Sequence, residues 1–201
     1  MFRLLARTPG RARDEARALV DAGGRIATQA LFRHLVTPGG HTMSVATTSC
    51  GALGWTSDDS GYRYTARDPA TGQPWPAMPN ELRQLAQDAA ALAGFAGFTP
   101  DACLVNRYAP GARLTLHQDR NEHDFAAPIV SVSLGVPAVF LFGGIRRSDP
   151  TRKLRLAHGD VVGFGDAVVH VDVAGTLRGD RRLATMVASA RCVVVADEHA
   201  G

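Results

Sequence analysis

The sequence predicts an α+β fold that is mainly β, namely a β-sandwich or jelly roll supported by helices. From residue 101 onward, short apolar runs are separated by Gly, Pro or Asp at near-regular intervals, which is typical of such a core. Upstream, residues 11–35 and 81–94 carry apolar residues at helical spacing. The length of 201 residues suits one domain with an N-terminal extension.

The composition is that of an ordinary globular protein, with 45% hydrophobic and 20% charged residues. Lys and Arg number 22 against 19 Asp and Glu, and the net charge of +3 is compatible with a polyanionic partner without requiring one. The three cysteines form no CxxC pair, which argues against a disulfide framework and a structural zinc site and favours a cytoplasmic location. No run of about 18 apolar residues exists, so we expect no contact with a membrane.

The N-terminal part of the chain is predicted to be helical. Residues 11–35 favour one or two helices, because Gly23 and Gly24 interrupt an otherwise helical apolar pattern. We therefore expect an N-terminal helical extension over residues 1–35 and a single main domain over 36–201.

The next segment changes character twice before a second helix begins. Residues 36–80 start with a turn and Thr/Ser/Val-rich strands and end in an irregular proline-rich loop. Asn80 is the predicted N-cap of a helix over residues 81–94, which ends at Gly94.

A histidine and an aspartate lie at the end of a predicted strand over residues 113–118, directly after the alternating residues 113–116. Because side chains alternate along a strand, His117 and Asp119 would point to the same face. With one further histidine, such a pair forms the two-His-one-carboxylate site of non-haem Fe(II) oxygenases, which leaves coordination positions open. The same segment, residues 117–119, is also typical of a solvated polar turn. The His-x-Asp pattern alone does not decide between a metal site and such a turn.

Seven segments in residues 37–162, one of which contains the His-x-Asp pair, bear on the choice between a metal site and a solvated turn. In chain order they read TPGGHTMSV, CGALGW, GYRY, DPATGQPWPAMP, DACLVNRYAPGARLTLHQD, APIVSVSLGVPAVFLFGG and RLAHGDVV. Together they closely resemble the AlkB family of Fe(II)- and 2-oxoglutarate-dependent nucleic-acid demethylases, and the NRYxxGxxLxxHxD run is specific. The resemblance implies a double-stranded β-helix (jelly-roll) core over about 100–201 and a nucleotide-recognition lid over about 36–80.

The resemblance also implies an activity. The family uses Fe(II), 2-oxoglutarate and O2 to demethylate N-alkylated bases of the 1-methyladenine and 3-methylcytosine type, releasing formaldehyde, succinate and CO2. The expected partner is alkylated DNA, with RNA as the alternative, and we expect a monomer. A base must leave the stack to reach such a site, and aromatic stacking offsets part of that cost.

Site residues are carried over by position. The resemblance makes three residues iron ligands: His117, Asp119 and His170. It makes three others ligands of the 2-oxoglutarate carboxylates: Asn106, Tyr108 and Arg191. It places five on the substrate side: Trp55, Tyr62, Tyr64, Arg147 and Asn121. Without it, Asn106 and Tyr108 would be read as buried strand residues and Trp55 as a core or lid tryptophan.

The last forty residues depart from the family pattern. The family ends in an Arg-x-Asn-x-Thr-x-Arg strand, whereas the alignable segment here places Val193 at the Asn position and Asp197 at the second Arg position. A carboxylate cannot replace an arginine that pairs with another carboxylate. The family also has an apolar first strand before the first helix, and none is predicted from the N-terminal residues here.

Several explanations of this departure stay open. The enzyme is active with a rearranged C-terminal strand, or it is an impaired homologue that serves as a nucleic-acid-binding module, or the reading frame changes after about residue 163. A 2-oxoglutarate oxygenase with a substrate other than nucleic acid is a further alternative.

Overall fold

The computed structural model describes residues 2–6, 11–115, 117, 124, 127–142, 148–164, 172–173, 183–185 and 192–194. Their strands form an eight-stranded sheet, a three-stranded sheet and a two-stranded hairpin. The eight-stranded sheet, called the main sheet below, contains β1 (Phe2–Ala6), β2 (Arg33–Val36), β3 (Thr42–Gly51), β6 (Ala102–Tyr108), β7 (Ile129–Gly135), β10 (Val161–Phe164), β12 (Leu183–Thr185) and β13 (Cys192–Val194). The small sheet contains β8 (Ala138–Phe142), β9 (Arg152–Leu156) and β11 (Asp172–Val173), and the hairpin contains β4 (Gly54–Asp58) and β5 (Gly61–Thr65).

The main sheet has the order β1-β10-β7-β12-β6-β3-β2, with β13 paired to both β6 and β7. β12 is antiparallel to β6 and β7, whereas β13 is parallel to both. β12 meets the end of β6 that holds Tyr108, and β13 meets the end that holds Cys103. The two short strands therefore fill, one after the other, the same gap between β6 and β7.

Two helices belong to the described part of the chain, α1 (Arg11–Gln29) and α2 (Asn80–Leu92). α1 runs through Gly23 and Gly24 without interruption, because the buried Ala22 and Ile26 lie four residues apart on its inner face. A single hydrophobic core joins residues of both helices to residues of the main and small sheets. Neither helix has the length and apolar character needed to cross a membrane.

The helix boundaries correct one expectation. Pro79, with φ −55° and ψ 144°, holds the N-cap position of α2 and makes no side-chain capping bond, so Asn80 is the first helical residue and not the cap. Proline suits the start of a helix because it has no N–H to leave unsatisfied. At the other end Gly94 adopts φ +97°, and the N–H of Phe95 returns to the carbonyl of Ala90 at 2.9 Å.

Two strand expectations are also wrong. The first strand is present, because β1 pairs antiparallel with β10 at the edge of the main sheet. The predicted strand at 113–118 is not, since residues 112–115 belong to no strand. These residues therefore provide no strand alternation that would point His117 and Asp119 to one face, and the backbone of the loop must orient His117 instead.

Candidate active site on the main sheet and the hairpin

Asn106 and Tyr108 lie on the central strand β6, two residues apart and hence on the same face of the main sheet. Both are buried, with exposed fractions of 2% and 0%. Thr47 on β3 is the direct cross-strand partner of Asn106, and its Oγ1 donates to Asn106 Oδ1 at 2.9 Å. The amide Nδ2 of Asn106 is buried and has no hydrogen-bond partner within the described residues.

Two buried serines on β7, Ser131 and Ser133, share that face. Leu104 on β6 lies beside Val193 on β13, and Val193 lies beside Ser131. Two residues further along each strand are Asn106 and Ser133, which are therefore about 10 Å apart, two strand spacings. Neither serine hydroxyl has a hydrogen-bond partner among the residues that the structure describes.

These three polar atoms, Asn106 Nδ2, Ser131 Oγ and Ser133 Oγ, define what we call the donor face. A buried polar group without a partner costs about 1–3 kcal/mol, and most native groups find one. A set of three on one sheet face is the arrangement expected where a polar ligand supplies the acceptors. Amide and hydroxyl donors suit a carboxylate, so the donor face fits a dicarboxylate such as 2-oxoglutarate.

The serines of the donor face were missed by the sequence reasoning. The run IVSVSLG is predicted as a strand and belongs to a segment that carries the family resemblance, but serine at alternate positions of an otherwise apolar strand also marks one polar face. Thr47 was missed because it lies in a Thr/Ser-rich strand and its partner is 59 residues away.

His117 lies half-buried in the loop after β6. Its Nδ1 is 2.7 Å from the carbonyl oxygen of Thr115, and a carbonyl can only accept, so Nδ1 carries the proton. In a neutral imidazole the lone pair is then on Nε2, which is the form that a metal ligand requires. The donor chemistry of His117 thus fits an iron ligand.

The other expected ligands fall outside the described residues. Asp119 and His170, expected as iron ligands, and Arg191, expected as a 2-oxoglutarate ligand, lie there, as do Asn121 and Arg147 on the substrate side. Within the described ranges no group of three or more His, Cys, Asp or Glu side chains forms a metal cluster. The iron ligand set, His117 included, therefore stays a prediction.

The three aromatic residues expected on the substrate side come together on the β4–β5 hairpin. Trp55 is the direct partner of Tyr64, and Tyr62 lies two residues from Tyr64, so all three share one face. The rings of Trp55 and Tyr62 stack with centroids 5.6 Å apart and planes 16° from parallel. Tyr62 is 43% exposed, so the aromatic face of the hairpin is open to solvent at its edge.

Hydrogen bonds attach the hairpin to the main sheet. Ser49 Oγ on β3 accepts from the Trp55 N–H at 3.2 Å and donates to the Trp55 carbonyl at 3.4 Å. Ser57 Oγ donates to the carbonyl of Val36 on β2 at 2.6 Å. The backbone of Trp55 is therefore fixed relative to β3, the strand that carries Thr47.

An ion pair spans the far end of the hairpin. Arg63 donates from Nη1 and Nη2 to the two carboxylate oxygens of Asp58, at 2.6 and 2.5 Å. These bonds hold the pKa of Asp58 at about 2. Asp58 remains ionised at neutral pH and compensates the charge of Arg63, which makes this arginine a weak candidate for a phosphate contact.

The proline-rich loop after the hairpin is held by a second ion pair. Arg33 on β2 donates from Nη1 to Asp68 Oδ1 at 2.6 Å, and its Nη2 also bonds Asp68 Oδ2. The Ala70 N–H donates to Asp68 Oδ1 at 2.9 Å. Burial raises the pKa of Asp68, but the bonds from Arg33 and Ala70 outweigh it and the pKa lies below its usual value.

The comparisons with known proteins agree on one family. A family model described as the 2OG-Fe(II) oxygenase superfamily matches residues 11–169. The "Alpha-ketoglutarate-dependent dioxygenase AlkB" of Salmonella typhimurium is 61% identical over 150 residues, which cover 75% of this chain and 69% of that protein. The protein of the same name from Escherichia coli is 61% identical over 140 residues, covering 70% of this chain and 65% of that protein.

A solved structure described as that of OsALKBH1 has the same fold. It aligns with a TM-score of 0.68 at 23% identity and covers 92% of this chain and 93% of its own. The sequence matches span about two thirds of the length of the two AlkB relatives. The chain belongs to the AlkB family of 2-oxoglutarate- and Fe(II)-dependent oxygenases.

Proposed function

We propose that the protein is an Fe(II)- and 2-oxoglutarate-dependent dioxygenase that demethylates N-alkylated bases in DNA, with RNA as the alternative polymer. The observation that carries the proposal is the donor face, where Asn106 Nδ2, Ser131 Oγ and Ser133 Oγ are buried beside Tyr108 without partners in the described part of the chain. Such a face needs acceptors, and the carboxylates of 2-oxoglutarate would supply them. The 61% identical AlkB relatives carry the same co-substrate in their name.

In this proposal the residues of the main sheet bind and orient the co-substrate. Asn106 donates from Nδ2 to a carboxylate of 2-oxoglutarate, and Tyr108 lies next to it on the same face. The guanidinium of Arg191 would form an ion pair with a carboxylate of the co-substrate. His117 holds the iron through Nε2, with Asp119 and His170 as the other ligands. Fe(II), 2-oxoglutarate and O2, when bound, supply the oxidising chemistry that hydroxylates the N-methyl group, which then leaves as formaldehyde.

The hairpin is the proposed substrate-binding part. Trp55 would stack on a base that has left the helix, and the neighbouring Tyr62 and Tyr64 would line the path of the strand. A lesion that cannot pair costs less to extrude, so stacking favours it over intact bases. Arg147 and Asn121 are the proposed substrate contacts on the opposite side.

The architecture belongs to the same proposal. The main and small sheets share one core, which suits the two walls of a jelly roll. The hairpin and the loop that follows would form the nucleotide-recognition lid of about residues 36–80, within a domain over 36–201. We propose a monomer in the cytoplasm.

An anaerobic titration tests the metal and co-substrate part. Adding Fe(II) and then 2-oxoglutarate should produce the weak visible charge-transfer band of the chelated metal. No band at saturating iron and 2-oxoglutarate would refute a dioxygenase. Formaldehyde release from an oligonucleotide with 1-methyladenine, measured against the unmethylated oligonucleotide, then tests the substrate.

A second candidate is a homologue that binds nucleic acid without turnover. The observation in its favour is Val193, which stands where the family has an asparagine and lies between Leu104 and Ser131 in the main sheet. Valine has no hydrogen-bonding group to offer a carboxylate in place of the family's amide. The titration separates the candidates, because the binding module would bind the oligonucleotide and give no charge-transfer band. If the protein produced succinate but released no formaldehyde from any oligonucleotide tested, an oxygenase with another substrate would be favoured instead.

A further inference from the structure

The contact between Thr47 and Asn106 joins two strands at the donor face. The residues are direct partners in the β3–β6 ladder, and the hydroxyl lies 2.9 Å from the amide oxygen. Both side chains are buried, with exposed fractions of 3% and 2%. Because water is excluded, each polar atom of the pair must be satisfied within the protein or by a ligand.

The direction of this hydrogen bond follows from counting donors and acceptors. If the amide donated to Thr47 Oγ1, the hydroxyl proton and the carbonyl oxygen of Asn106 would both lack partners within the described residues. With the hydroxyl as donor, both are satisfied by one bond, and only the amide NH2 group is left over. The hydroxyl of Thr47 therefore selects one of the two possible orientations of the Asn106 amide.

We propose that Thr47 is a positioning residue for 2-oxoglutarate binding, which acts by holding the Asn106 amide with its NH2 group toward the co-substrate carboxylate. The inference rests on the proposed function, since it needs Asn106 to contact 2-oxoglutarate. A rotated amide would present its oxygen to the carboxylate, and two acceptors facing each other repel. The orientation of the Asn106 amide thus decides whether this side chain attracts or repels the carboxylate of 2-oxoglutarate.

Substitutions at residue 47 separate positioning from packing. Thr47→Val keeps the shape of the side chain and removes the donor, so the amide of Asn106 is free to rotate. Thr47→Ser keeps the donor and loses only a methyl group. Thr47→Ala removes both the hydroxyl and the methyl group, and it serves as a second test if Thr47→Val is unstable.

The measurement is the dissociation constant of 2-oxoglutarate from the Fe(II)-loaded protein without oxygen, read from the charge-transfer band. We expect Thr47→Val and Thr47→Ala to weaken 2-oxoglutarate binding about tenfold, the usual effect of one buried hydrogen bond. Thr47→Ser should stay within about threefold of the unsubstituted protein. Binding of Fe(II) alone should not change in any variant, and thermal unfolding checks that each variant is folded.

A double-mutant cycle shows whether the effect passes through Asn106. In an Asn106→Ala background, Thr47→Val should weaken 2-oxoglutarate binding no further, because there is no amide left to orient. The same loss with and without Asn106, or unaltered binding by folded Thr47→Val, would overturn the inference. If the unsubstituted protein binds no 2-oxoglutarate, the proposed function itself fails, and the inference with it.

Discussion

The indole of Trp75 lies directly against Gly54, so that a Cβ added to Gly54 would be 2.3 Å from Trp75 Cε2. The Nε1 of the same indole donates to the carbonyl of Thr65 at 2.9 Å. Gly54 and Thr65 are cross-strand partners at the open end of the β4–β5 hairpin. Trp75 therefore closes that end of the hairpin and fixes the strands that carry Trp55 and Tyr64.

Gly54→Ala tests this closure. A methyl group at this distance must displace the indole, and with it the bond to Thr65, so the aromatic face should lose its position. We expect binding of a 1-methyladenine oligonucleotide, measured by fluorescence anisotropy, to weaken about tenfold or more, since stacking of a base contributes about 1–3 kcal/mol.

Gly24→Ala is the matched control. Gly24 lies inside α1, and among the described residues no atom other than its chain neighbours and the nearby backbone of α1 lies within 4 Å of an added Cβ. Alanine is the better helix former by about 0.5–1 kcal/mol, so this variant should be slightly more stable and should bind the oligonucleotide normally. Equal affinity of both variants would contradict a role for the contact between Gly54 and Trp75.

Trp55→Ala should separate base binding from co-substrate chemistry. We expect weaker binding of the alkylated oligonucleotide, because the stacking surface is lost, and unaltered production of succinate in the absence of nucleic acid. Tyr62→Phe keeps the ring that stacks on Trp55 and should have a much smaller effect on affinity. If Trp55→Ala left the affinity for the oligonucleotide unchanged, the tryptophan would not be the stacking residue.

The ion pair between Arg33 and Asp68 should make stability depend on pH. Since the pKa of Asp68 is lowered in the folded protein, its contribution is complete above the unfolded value of about 3.9 and is lost as the pH falls through the lower folded value. Asp68→Asn should therefore lower the free energy of unfolding by about 1–3 kcal/mol at pH 7, because the carboxylate is buried while the Arg33 side chain is partly exposed.

The exposed pair of Arg25 and Glu81, at 2.7 Å, provides the comparison. Glu81→Gln should cost less than about 1 kcal/mol at pH 7, because solvent screens an exposed pair. Urea unfolding of both variants and the unsubstituted protein at pH 7 and near pH 3 measures the two effects. If the decrease in the free energy of unfolding caused by Asp68→Asn were as large near pH 3 as at pH 7, the ionised Asp68 would not be the source of the stabilisation.

Replacement of His117 tests the metal site. His117→Ala should abolish the charge-transfer band and iron-dependent turnover while leaving the thermal unfolding midpoint nearly unchanged, because the side chain is only half-buried in a loop. Asp119→Ala should do the same. Full activity of either variant with added Fe(II) would show that the residue is no iron ligand.

Local patterns predicted the elements better than their ends. The helical spacing of Ala22 and Ile26 outweighed Gly23 and Gly24, because both apolar side chains are buried in the core. Asn80 has the usual chemistry of an N-cap, but the fixed φ of Pro79 places the boundary one residue earlier. The first strand was overlooked since its pairing with β10 joins residues about 160 positions apart, which no local pattern records.

The candidate site also contains residues that a local motif predicts and residues that only the pairing of distant strands reveals. Asn106 and Tyr108 could be predicted as a pair from the family motif, and alternation along one strand, β6, places them on one face. Thr47 and Ser133 could not be predicted as part of the site, because their position beside Asn106 follows only from the register between separate strands. Trp55, Tyr62 and Tyr64 were found as single motif residues, but their common face follows only from the hairpin pairing.

The insertion of β12 and β13 between β6 and β7 has a consequence for synthesis on the ribosome. The gap at the centre of the main sheet is filled by residues 183–185 and 192–194, although its two walls, β6 and β7, are complete in the chain by residue 135. Until those residues emerge, both walls present unpaired backbone edges, the usual template for intermolecular strand pairing. A nascent chain stalled before residue 183 should therefore be protected by a chaperone or should aggregate, whereas release of the following residues allows the sheet to close.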